Sequence, residues 1–62
     1  MHVRYSLMKK NNEWCTYCKD EGRYIYKKSK NELIYHLRDK NDSKYVNLRK
    51  NKLVVSIAVV AN

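Results

Sequence analysis

Two cysteines and two histidines are the residues of this chain best suited to holding a metal. Cys15 and Cys18 flank a two-residue spacer, which lets a tight knuckle aim two thiolates at one point. Structural zinc takes four N or S ligands in a tetrahedron. Cys15, Cys18, His36 and His2 supply two of each, so they are the candidate ligand set and zinc is the cofactor they suit. Two other readings stand beside it. In a regular strand, residues three apart point to opposite faces, so Cys15 and Cys18 would not share an ion. Free cysteine then acts as a small core hydrophobe, and His36 packs beside an apolar helix stripe. A disulfide or redox pair is the third reading.

The elements that must position these residues are legible from period and punctuation. Residues 2–8 alternate, with Val3, Tyr5 and Leu7 on one face, as a half-buried strand does. Residues 9–12 read as a turn, because Asn tolerates positive φ. Residues 13–18 make the return strand. Asp20, Glu21 and Gly22 form a second turn, and Arg23–Lys27 is a strand of aromatic and β-branched residues framed by charge. Ser29 with Glu32 is a capping box, which starts a helix running to about Lys40. Leu33, Ile34 and Leu37 form its apolar stripe, and residues 41–43 favour turn over helix. Strands follow at 44–49 and 53–60, joined by a turn at 50–52. The last run is apolar on both faces, which calls for a central or covered strand. The expected fold is therefore α+β: a small, mostly antiparallel sheet in the order β-β-β-α-β-β with one helix packed on it, a single domain over 1–62.

Residues 14–41 resemble a C2H2-type zinc finger of the BED-like kind. In that family a Cys pair on a hairpin precedes a helix carrying Leu-x2-His. Cys15, Cys18, Leu33 and His36 match this pattern. The resemblance implies a zinc-stabilised unit whose outer helix face, here Lys30, Tyr35 and Arg38, approaches duplex DNA. The family's second helical ligand has no His or Cys counterpart here. His2 or Asp39 would have to complete the set.

Charge narrows the partner class. Fourteen Lys and Arg against six Asp and Glu leave a formal charge of +8. Such a field attracts polyanions, nucleic acid first among them. Lys9 and Lys10, Lys27 and Lys28 with Lys30, and Arg49, Lys50 and Lys52 cluster at element ends, and Arg23 and Lys27 flank Tyr24 and Tyr26. Basic residues interleaved with rings on a sheet can hold single-stranded nucleic acid by stacking and phosphate neutralisation. The expected function is nucleic-acid binding, DNA or RNA not distinguished. The alternative is a protein-interaction or inhibitor module that pairs through the C-terminal strand, as a homodimer for example. Few acids neighbour the histidines and no nucleophile–base spacing is present, so catalysis is not expected. Met1-His2-Val3-Arg4 leads into no apolar stretch, and the largely apolar eight-residue run 53–60 falls far short of the roughly 20 needed to span a bilayer. The expected setting is cytoplasmic, away from membranes.

Overall fold

A computed structural model describes residues 2–57. Six strands and one helix run in the order β1 (His2–Ser6), β2 (Met8–Lys10), β3 (Glu13–Cys18), β4 (Arg23–Lys27), α1 (Lys30–Lys40), β5 (Tyr45–Arg49) and β6 (Lys52–Ser56). The strands form two three-stranded antiparallel sheets, ordered β1-β6-β5 and β2-β3-β4. The class is α+β, mostly strand.

The expected single strand at 2–8 is two strands in two sheets. β1 pairs with β6 and β2 with β3, and the change of partner falls at Leu7. Leu7 is buried, and its N–H donates to the Asn51 carbonyl at 2.7 Å. Beside it the Thr16 hydroxyl donates to the Ser6 carbonyl at 2.8 Å. Both backbone groups at the switch are thus satisfied without a continuous ladder. The alternation survives the switch: Tyr5 and Leu7 are buried while Arg4, Ser6 and Met8 are exposed.

Turn chemistry places the hairpins. Asn11 and Asn12 have φ of 53° and 65° and connect β2 to β3. Lys50 and Asn51, at 48° and 65°, connect β5 to β6. Two left-handed residues in a two-residue loop match the right-handed twist of the flanking strands. Lys9, Lys10 and Lys52, expected in turns, therefore lie in strands. Gly22 takes φ +66° in the β3–β4 loop, and its N–H bonds the Cys18 carbonyl at 2.8 Å.

Ser29 caps the helix as expected, its Oγ accepting from Glu32 N–H at 3.1 Å, which is one of the two bonds of a capping box. At its other end Asn41 Nδ2 donates to Leu37 O and to the Tyr5 hydroxyl, both at 2.8 Å. This ties the C-cap to β1. Leu33 and Leu37 are buried in one cluster with Tyr5, Leu7, Cys18, Ile25, Leu53 and Val55. Each such aliphatic side chain contributes about 1.5–3 kcal/mol on full burial, and the cluster draws on both sheets and the helix.

The run from Leu53 is central, one of the two placements its composition calls for. β6 is bonded to β1 on one side and β5 on the other. Its edge is not open for strand addition over Lys52–Ser56. Residues 58–60 of the expected strand lie outside the described residues.

Candidate nucleic-acid interface

β3 is regular, and this decides where the cysteines go. Cys18 lies on the face of Trp14 and Thr16 and belongs to the core cluster. Cys15 lies on the opposite face, between Met8 of β2 and Tyr26 of β4, and is itself fully buried. The two free thiols are therefore separated by the sheet, and no knuckle forms. His2 sits at the start of β1, where Nδ1 is 3.1 Å from Ser56 Oγ. His36 is on α1, and its Nε2 is buried without a hydrogen-bond partner among the described residues. Cys15, Cys18, His36 and His2 are not brought together. Among the described residues no group of three or more His, Cys, Asp or Glu is placed to hold an ion.

The face that carries Cys15 gathers aromatic rings instead. Tyr17 of β3 is paired with Tyr24 of β4, and Cys15 with Tyr26, so all four residues share one side. Tyr17, Tyr24 and Tyr26 are 46%, 48% and 48% exposed, and Met8 beside them is 45% exposed. The Tyr17 and Tyr24 rings meet edge-on with centroids 5.2 Å apart, and Tyr24 and Tyr26 lie 6.4 Å apart at 40°. This is a contiguous half-buried aromatic surface. Cys15 fills the space beneath the rings as a small hydrophobe.

Cationic groups border these rings. Lys10, paired with Glu13, shares their face. Where β1 diverges from β3 a cleft opens, lined by Arg4, Ser6, Met8, Tyr17, Lys19 and Tyr24 together with Asp20. The other sequence-predicted cations lie elsewhere. Lys9 and Lys27 oppose Trp14, and Arg23 opposes Cys18, all on the side away from the tyrosines. Arg23 also donates to Glu21 Oε1 at 3.1 Å, and Lys40 Nζ is 3.9 Å from Glu21 Oε2. The Arg23 hydrogen bond, with the charge of Lys40 behind it, holds the Glu21 carboxyl below its ordinary value. Lys28 is exposed just beyond β4. Lys30 is committed to the fold: Nζ lies 5.0 Å from the Trp14 ring centroid and donates to Asn51 Oδ1 at 2.6 Å. Arg38 covers the Tyr35 ring at 5.1 Å, with Nε 3.6 Å from Asp39.

Tyr24 and Tyr26 thus share an exposed face as their spacing predicts. The sequence reading missed Tyr17 and Lys19. The signal was available: a four-residue loop ending at Gly22 pairs Cys18 with Arg23 and so Tyr17 with Tyr24. Arg4 was missed because its neighbours in space come from β3 and β6.

No family model, curated protein or solved structure matches this chain. Among the described residues no helix is long and apolar enough to cross a membrane.

Proposed function

We propose that this chain is a small basic nucleic-acid-binding protein that holds a single strand against the outer face of β3 and β4. The observation that carries the reading is the row of half-exposed rings Tyr17, Tyr24 and Tyr26. A base can stack on any of them, because every base has a π-face, and such contacts contribute about 1–3 kcal/mol per base. The formal charge of +8 supplies the sequence-independent attraction. The rings lie on two paired strands, so their spacing is set by the sheet rather than by a loop.

The test is mobility or fluorescence titration with single-stranded and duplex oligonucleotides of DNA and RNA. Tyr24→Ala removes the middle ring and should weaken single-strand binding by about 5- to 150-fold, the equivalent of one stacked base. No retention of any oligonucleotide at about 50 mM salt, where electrostatic binding is strong, would end the reading.

A second reading is a protein-interaction module, and β5 favours it. Every residue of β5 is exposed, including Val46 at 38% and Leu48 at 39%. Among the described residues β5 pairs with β6 alone. An edge strand with open backbone and apolar side chains can add a partner strand, a second copy of the chain included. Sedimentation across a concentration series separates the two: a dimer lost on Val46→Lys supports pairing through β5.

A further inference from the structure

The outer face of the β1-β6-β5 sheet carries a set of cations of its own. Cross-strand register defines it. Arg4 lies opposite Val54 and Val54 opposite Asn47, while Ser6 lies opposite Lys52 and Lys52 opposite Arg49. These residues alternate with Tyr5, Leu53 and Val55, which point into the core. The two rows therefore face away from the helix. With Lys50 they line a shallow concavity whose four cations are Arg4, Arg49, Lys50 and Lys52.

Three features make this more than a solvated surface. No Asp or Glu occurs in β1, β5 or β6, and none of the four cations joins an ion pair among the described residues. Their charge is therefore uncompensated on the spot. Asn47 and Ser6 add neutral hydrogen-bonding groups between the cations. Third, Lys50 occupies a left-handed position, φ 48°, where Gly or Asn is the undemanding choice. Its neighbour Asn51 is clamped, the carbonyl by Leu7 N–H and the side chain by Lys30. A strained backbone held rigidly presents a cation at the rim of the concavity.

This concavity adjoins the tyrosines. Arg4 and Ser6 line both it and the cleft that reaches Tyr17 and Tyr24. Along the chain, Arg4, Ser6 and Met8 carry the same outward face from one sheet to the other. We infer that Arg4, Arg49, Lys50 and Lys52 form a phosphate-binding site for the backbone of the strand whose bases stack on Tyr17, Tyr24 and Tyr26. The inference rests on the proposed nucleic-acid binding and gives it a division of labour: rings on one sheet, phosphate contacts on the other. Arginine's planar fork suits two phosphate oxygens at once, and lysine supplies a point charge.

Salt dependence reads the phosphate contacts directly. Each phosphate neutralised on a single strand contributes about 0.7 to the slope of log affinity against log salt. A single-stranded oligothymidylate is titrated against the wild type, Arg49→Gln/Lys52→Gln, Lys50→Asn and Tyr24→Ala, with thermal melting of each. The double variant should lower the slope by about 1.4 at unchanged melting temperature. Tyr24→Ala should lower affinity at unchanged slope. Lys50→Asn should raise the melting temperature, because Asn suits the turn, yet weaken binding. An unchanged slope in the double variant while the wild type binds overturns the phosphate site and leaves the stacking reading standing. So does unchanged affinity in a stabilised Lys50→Asn. A wild type that ignores the oligonucleotide overturns both, and tighter binding of phosphatidylserine vesicles than of the oligonucleotide reassigns the cations to a membrane surface.

Discussion

Thr16 Oγ1 donates a 2.8 Å hydrogen bond to the carbonyl of Ser6, at the point where the N-terminal strand leaves one sheet for the other. Thr16 is only 1% exposed, whereas Ser6 lies exposed, so the bond is shielded on the donor's side. Replacing it by Val keeps the shape and removes the donor. A neutral, part-buried hydrogen bond of this kind contributes about 0.5–1.5 kcal/mol net. Chemical denaturation of Thr16→Val should show a loss in that range. A change below about 0.5 kcal/mol, typical of a plain surface substitution, would mean that the sheet switch does not depend on this bond.

Lys30 and Trp14 hold the helix N-terminus to β3. The ammonium lies 5.0 Å from the ring centroid and also bonds Asn51 of the β5–β6 turn. One side chain thus links three elements. A cation–π contact of this kind contributes about 0.5–2 kcal/mol. Lys30→Met keeps the aliphatic stem and should destabilise by about that amount, with the Trp fluorescence spectrum shifted, because the cation no longer sits over the indole. Equal oligonucleotide affinity in the folded variant is expected too, since Lys30 is occupied within the fold. A large affinity loss without destabilisation would contradict that assignment.

Glu21 couples the β3–β4 loop to the end of the helix through Arg23 and Lys40. Its carboxyl is held below the ordinary value, first by the Arg23 hydrogen bond. The sign follows from linkage: a depressed folded pKa means stability is present above the unfolded pKa and is lost as pH falls through the folded one. The effect on stability is small, because the group is solvent-exposed and screened. NMR titration should place Glu21 below the ordinary glutamate value, and Arg23→Gln should raise it. A Glu21 midpoint that does not respond to Arg23→Gln would remove the proposed cause.

The candidate metal ligands show how local signals mislead. A Cys-x2-Cys pair reads as a knuckle only if the chain turns between the cysteines. Trp14, Thr16 and Tyr17 are residues that suit a strand, and register with both β2 and β4 keeps residues 13–18 straight. One thiol then enters the core and the other supports the tyrosines. The same regularity explains Tyr17, whose place beside Tyr24 follows from pairing and not from its own neighbours in sequence.

Sequence by itself determined the local structure of this chain. Alternation set the buried side of the N-terminal strand, Ser29 set the helix start, Asn11, Asn12 and Gly22 accommodated left-handed turns, and the run from Leu53 called for a central or covered strand. These features depend on residues a few positions apart. Tertiary structure alone decided the change of sheet at Leu7, the union of Arg4 with Arg49 and Lys52, and the engagement of Lys30 by Trp14 and Asn51. Alternation continues unbroken through Leu7, so its period carries no record of which strand lies alongside. A lysine's charge is likewise the same whether it meets solvent, a phosphate or an indole ring, and only the packing of distant segments selects among them.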